Sequence, residues 1–297
     1  MKKLHLQRRD FLKGLLSSGI ALSTLPTSGF AHFLTDKNHM KLGLVTYLWA
    51  KDWTVPEIIS NCEKSGIQGV ELRSTHAHGV EVTLNKTERK EVKKLFKNSK
   101  VELVGLGSAE EYDQKDPKLV KQAIENTKAF IKLSHDVGGS GVKVRPNHLH
   151  EDVSKEKTIE QIGKALNEVG VYAGEYGQEI RLEVHGRGTQ YPEVIKSIMD
   201  VANNPNVGVC WNCNKEDLSG KGFEYNFNLL KGRFGDTMHI RELDRTDYPY
   251  KKMIELLVDM NYGGWLLLEC HTNPIEKIKE MTKQQKVFEE MIKKAMG

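Results

Sequence analysis

Four short segments in the second half of the sequence end in one arrangement, two polar residues separated by a third. They are Glu183-x-His185, Asn212-x-Asn214, His239-x-Arg241 and Glu269-x-His271. Carboxylate, amide oxygen and imidazole are the donor types taken by divalent ions such as manganese, cobalt or zinc, whereas thiolate-loving ions need cysteine. Glu183, Asn212, His239 and Glu269 are therefore candidate ligands of one divalent ion. Manganese is the first expectation, with cobalt, zinc or magnesium as alternatives. Such an ion acts as a Lewis acid on a substrate oxygen.

Both members of each pair face the same way only if the segment carrying them is extended, because residues two apart on a strand share a face. The segments read as strands: Glu179–His185, Val207–Asn212, Thr237–Arg241 and Trp265–Glu269, preceded by Leu42–Leu48, Gly69–Arg73, Val101–Gly107 and Gly141–Arg145. All are apolar in the middle and polar at the C-terminal end, as strands buried on both faces are. Helical patterns alternate with them: Pro56–Lys64, Lys86–Asn98, Pro117–Asp136, Lys157–Tyr176, Tyr191–Asn203, Phe223–Lys231, Tyr250–Met260 and Ile275–Met296. Eight strand–helix repeats without a linker predict an α/β fold, a single-domain (β/α)8 TIM barrel over residues 41–297, with its reacting groups at the C-terminal strand ends. No G-x-G-x-x-G follows the first strand, which argues against a dinucleotide-binding sheet.

Other polar strand ends supply a candidate substrate shell. Glu71 and Arg73 close the second strand, with His76 and His78 in the loop beyond. Lys143 and Arg145 close the fourth, Asn214 follows the sixth, and Arg241 and Arg245 follow His239. Cations at a barrel mouth fit a polyhydroxylated or enolate-bearing ligand. Trp49 and Trp53, after the first strand, would floor a sugar by stacking or cap the barrel.

The stretches VCWNCN, MHIRELDRTDYPY and YGGWLLLEC resemble the xylose isomerase-like barrel proteins known as the sugar phosphate isomerase/epimerase family, which include ketose 3-epimerases and 3-dehydro-glycoside epimerases. The resemblance runs from about Lys41 to the C-terminus. It implies one divalent metal held by Glu, Asp, His and Glu on strands five to eight, here Glu183, Asn212, His239 and Glu269. Asn212 departs from that pattern: it is neutral where the family usually has a carboxylate, which leaves the ion a stronger Lewis acid. By position, Glu183 and Glu269 inherit the proton transfers that form and quench an enediolate, and Arg245 stands at the spacing of a substrate arginine. His185 and His271 are then candidates for a second acid or base, able to protonate a leaving oxygen.

The first 31 residues read differently. QRRDFLKG and the weakly apolar Leu15–Leu25 resemble a twin-arginine export signal, which predicts a periplasmic or otherwise exported protein with no membrane anchor. Lys2, Lys3, Arg8, Arg9 and Lys13 stand against Asp10 there, so without this leader basic and acidic residues are equal in number. A balanced body gives no bulk attraction to nucleic acid or to an anionic membrane. Cys210 and Cys213 form a C-x-x-C, but along a strand their Cα atoms would lie roughly 10 Å apart, beyond disulfide reach.

An exported member of this family would meet glycosides. From a 3-keto-glycoside, removal of the C2 proton places a carbanion beside the C1–O bond, and the aglycone leaves by β-elimination. A 3-keto-glycoside 1,2-lyase acting on a small carbohydrate is the favoured expectation, with a keto-sugar epimerase or isomerase as the alternative. A non-catalytic sugar-binding barrel and an endonuclease IV-like phosphodiesterase stand further back. The segments Arg73 to Asn85 and Lys215 to Phe223 are long enough to support contacts in a homo-oligomer.

Overall fold

A computed structural model describes residues 40–297, so the twin-arginine segment lies outside the described residues. Eight parallel strands close in sequence order: β1 (Lys41–Val45), β2 (Gly69–Arg73), β3 (Glu102–Glu111), β4 (Gly141–Arg145), β5 (Glu179–Glu183), β6 (Val207–Asn212), β7 (Phe234–Ile240) and β8 (Trp265–Leu268). Each is followed by a helix: α1 (Val55–Ser65), α2 (Lys86–Lys97), α3 (Pro117–Val137), α4 (Lys155–Glu175), α5 (Pro192–Val201), α6 (Phe223–Leu230), α7 (Tyr250–Asp259) and α8 (Lys277–Met296). This is the (β/α)8 barrel that the alternating pattern predicts. No described helix is long and apolar enough to cross a membrane.

Local chemistry starts and stops the helices. Asn85 accepts from the backbone N–H groups of Thr87 and Glu88, and Glu88 reaches back to the Asn85 N–H, a capping box that satisfies otherwise orphaned donors. Pro117 opens α3 behind Asp116, whose carboxylate accepts from Lys118 N, and Gly138 ends it in the left-handed conformation at φ 97°.

The strands differ from expectation mainly at their C-terminal ends. β1 stops at Val45 rather than Leu48, because Tyr47 N turns back to Val45 O at 2.6 Å. β5 stops at Glu183 and β8 at Leu268, so His185 and His271 stand on loop backbone, while Glu269 N, just past β8, still donates to Ile240 O at 2.7 Å. β3 instead runs on to Glu111, with a register shift between Gly107 and Glu111 against β4.

Outward-facing strand residues such as Leu42, Leu44, Leu106, Leu182 and Trp211 pack under the helices in one core. The interior is built differently. Val45, Val104, Trp265 and Leu267 form a small apolar cluster, and the remaining inward positions are largely glycines or charged groups. Two glycines make that possible. A Cβ on Gly105 would meet Arg181 Nη1 at 2.8 Å, and one on Gly107 would meet Glu71 Oε1 at 2.8 Å. Arg181 is fully buried, yet each guanidinium nitrogen has a partner: Nε donates to Glu179, Nη1 to Val104 O and Nη2 to Ser140 Oγ. A buried charge with a partner on every nitrogen is the tolerable kind. All four cysteines, Cys62, Cys210, Cys213 and Cys270, are free thiols in buried positions.

Candidate active site at the barrel mouth

Above the Arg181 layer, inward-facing residues of β2, β4, β5, β6 and β7 meet Glu269 beyond β8. His239 is the centre: its Nε2 lies 3.1 Å from Glu71 Oε1, and its Nδ1 lies 3.5 Å from both Glu183 Oε1 and Glu269 Oε2. Glu183 has two further partners. Asn212 Nδ2 donates to Oε1 at 3.0 Å, and Lys143 Nζ sits 2.8 Å from Oε2. The Lys143 and Glu183 side chains are 4% and 2% exposed, so this ion pair is shielded from water.

Burial pushes the Glu183 carboxyl up, but Lys143 and His239 outweigh it and hold it well below the usual carboxylate range. The same contest between burial and His239 leaves Glu71 lowered. For His239, burial favours the neutral ring, while the Cys210 sulfur and the Glu71 and Glu269 carboxylates reverse this and hold the imidazole well above its ordinary value. Nδ1 thus faces two carboxylates without a hydrogen-bond partner of its own. That position calls for a cation.

The donor set fits a divalent metal. One ligand atom each from Glu183, His239 and Glu269 lie within 4.8 Å of one another. Donors about 2.1 Å from a tetrahedral ion stand roughly 3.4 Å apart, close to the 3.5 Å between His239 Nδ1 and each carboxylate. Glu71 on the far ring nitrogen is the carboxylate that orients a metal-binding imidazole. Asn212, the fourth expected ligand, borders the same cavity and turns its amide nitrogen toward Glu183 Oε1 at 3.0 Å. A carboxylate oxygen attracts that end of the carboxamide and repels the carbonyl end.

The cluster floors a cavity of about 200 Å³ whose walls include Tyr47, Arg73, Arg145, Gln190, Arg241 and His271. His185 and His271 both line it, and burial, the leading cause for each, lowers both imidazoles below the usual histidine value. A larger groove of about 680 Å³ on the outer wall, between α2 and α3, has no such convergence of carboxylates and imidazole.

The family model for xylose isomerase-like TIM barrels matches residues 59–291. The chain belongs to the xylose isomerase-like TIM barrel family. Solved structures with the same fold include the IolI protein with a bound zinc atom, at 17% identity and a TM-score of 0.68, covering 86% of this chain and 99% of that one. The 3-keto-D-glucoside 4-epimerase YcjR from E. coli gives 13% and 0.69 over 85% and 98%. An L-ribulose 3-epimerase gives 13% and 0.72 over 86% and 95%. None of the curated protein sequences matches this chain.

In this xylose isomerase-like barrel, most of the residues singled out by spacing come to one place. Glu183, Glu269, His185, His271, Arg73, Lys143, Arg145, Asn212, Asn214 and Arg241 all line the cavity, with His239 buried beneath them. Others do not reach it; the His78 ring, for one, is buried and bonded to Arg73 O and Val80 N. His76 lies in the β2–α2 loop with its ring 6.2 Å from that of His78, and it is absent from the cavity wall. Arg245 is held outside by Asp247, to which it donates from Nε at 2.9 Å and from Nη2, and it borders a separate groove with Glu242 and Lys283. The local Arg–Asp pair captures the guanidinium before the mouth can.

Three more assignments change. Glu71 is an orienting partner of His239 and is fully buried, outside the cavity wall. Lys143, expected on substrate, is paired with Glu183 as well as lining the cavity. Trp49 is 1% exposed and donates to Thr272 O, so it caps the barrel and offers no face to a sugar. Tyr47 and Gln190 are cavity residues that spacing did not reveal; both sit on irregular loop backbone with no strand period to read.

Proposed function

We propose that this protein is a metal-dependent keto-sugar epimerase or isomerase that moves a proton at the carbon next to a ketone. The carrying observation is the convergence of Glu183 and Glu269 on one point, each with an oxygen 3.5 Å from His239 Nδ1. A divalent ion held by His239, Glu183 and Glu269 would polarise the ketone and its neighbouring hydroxyl. One carboxylate removes the α-proton, and the other returns a proton to the opposite face or to the adjacent carbon. Lys143, 2.8 Å from Glu183, places positive charge beside the developing enediolate, in a site that packing has already organised.

Solved neighbours named as a keto-glucoside epimerase and a ketose epimerase support epimerisation over the elimination expected from the sequence. Elimination starts with the same proton abstraction and adds a leaving-group acid, a task for His185 or His271, which line the same cavity. One experiment separates the two. Manganese-loaded protein is incubated with a 3-keto-glucoside and with free ketohexoses in D2O and followed by NMR, beside Glu183→Gln and Glu269→Gln. Deuterium at an α-carbon with the glycoside intact, or an epimer of the ketohexose, is the expected result. Release of the aglycone would move the protein to the lyase, and absence of exchange with every keto-sugar would overturn the enolisation reading.

A further inference from the structure

The described chain has eight arginines, and they divide sharply by partner. Arg89, Arg181, Arg187 and Arg245 are ion-paired, with Asp136, Glu179, Glu151 and Asp247 respectively. Arg233 donates to three backbone carbonyls. The other three, Arg73, Arg145 and Arg241, have no carboxylate within ion-pair distance among the described residues, and all three line the active-site cavity. Arg145 donates only to Ala109 O from Nη2, and the Nε atoms of Arg145 and Arg241 are buried without any partner. Arg73 lies over the Tyr47 ring, 5.0 Å from its centroid, a stacking contact that leaves its N–H fork free.

Unpaired cations in a partly enclosed space are costly unless a ligand completes them. The carboxylates of the same cavity do not do so: Glu183 is engaged by Lys143 and Asn212, and Glu269 faces His239. A neutral sugar would need at most one or two cations to receive hydroxyls. Three planar forks with free N–H groups match the geometry of a carboxylate or a phosphate ester.

We infer that the substrate is an anionic keto-sugar, whose carboxylate or phosphate is received by Arg73, Arg145 and Arg241. This rests on the keto-sugar reading above and narrows it to a substrate class. The anionic group sets the pose, and the ketone end of the sugar is directed to Glu183 and Glu269.

The test is titration calorimetry of the manganese-loaded full chain with three unreactive probes: methyl β-D-glucoside, methyl β-D-glucuronide and methyl β-D-glucoside 6-phosphate. At least one anion is expected to bind about 30-fold or more tighter than the glucoside, and its affinity to fall as ionic strength rises. Arg145→Met and Arg241→Met are each expected to weaken it about 10-fold or more, while Arg187→Met, on the exposed Glu151 pair, leaves it unchanged. The tighter anion identifies carboxylate or phosphate as the group recognised. Equal binding of the neutral glucoside, a preference that survives in the methionine variants, or no binding of either anion would overturn the inference. The two readings fail separately. Arginine-dependent anion binding without deuterium exchange in any keto-sugar would remove the enolisation reading alone, and equal exchange rates for a neutral keto-glucoside, its uronate and its 6-phosphate would remove this one alone.

Discussion

The His239 ring is held from behind by Glu71, whose Oε1 lies 3.1 Å from Nε2, so that Nδ1 is turned toward Glu183 and Glu269. A cross-barrel pair of this kind sets which nitrogen is free to bind and how basic it is. The Glu71→Gln variant is expected to fold normally and to bind manganese or zinc 10- to 100-fold more weakly, the range found when such orienting carboxylates are removed. Metal titration followed by calorimetry reads this without any substrate. Unchanged affinity would show that Glu71 serves only the fold.

Lys143 and Glu183 make a buried ion pair 2.8 Å long. Removing one partner leaves the other charge without compensation, so Lys143→Met is expected to lower the unfolding free energy by about 3–5 kcal/mol in denaturant titrations of the metal-free protein. The double variant Lys143→Met/Glu183→Gln should recover most of that loss, since no buried charge remains. Additive losses in the double variant would mean that the pair contributes nothing as a pair.

Asp217 lies behind the mouth, in a buried chain in which Trp211 Nε1 donates to Tyr248 OH and Tyr248 OH donates to Asp217 Oδ2. Burial raises the Asp217 carboxyl from 3.8 to about 8, although the bonds from Tyr248 and Asn214 N oppose the shift. Because the folded value is the higher one, the group's contribution to stability is fully present at low pH and is lost as pH rises through about 8. Unfolding midpoints of Asp217→Asn, which keeps an oxygen for both donors, are therefore expected to fall less than those of the parent between pH 5 and pH 8.5. Parallel pH profiles for the two proteins would contradict this.

Export is our proposal for the N-terminal segment, on the strength of Arg8 and Arg9 ahead of Phe11-Leu12-Lys13. Replacing both arginines with lysine should retain the protein in the cytoplasm at its full length in cell fractionation, while the parent chain appears outside the cytoplasm in a shortened form. Equal distribution of the two would remove the twin-arginine reading.

The sequence by itself determined the barrel. Its eight apolar runs, each flanked by helical periodicity, are local signals that need no long-range information, and all eight strands and eight helices fall where those signals stand. The polar pairs two residues apart were legible for the same reason, since a strand's period of two assigns Glu183 and His239 to one interior. Tertiary structure alone decided which partners those side chains meet. Glu71 and His239 are 168 positions apart and Lys143 and Glu183 stand on different strands, so their pairing follows from barrel closure and strand register. The amide orientation of Asn212 depends on the carboxylate across from it. Arg245 was drawn away by Asp247 two residues on, while Arg241, four residues earlier, kept its free guanidinium in the cavity. Spacing names the groups that can reach a mouth, but competing charges within a few ångströms, set by the folded chain, decide which of them remain there unpaired.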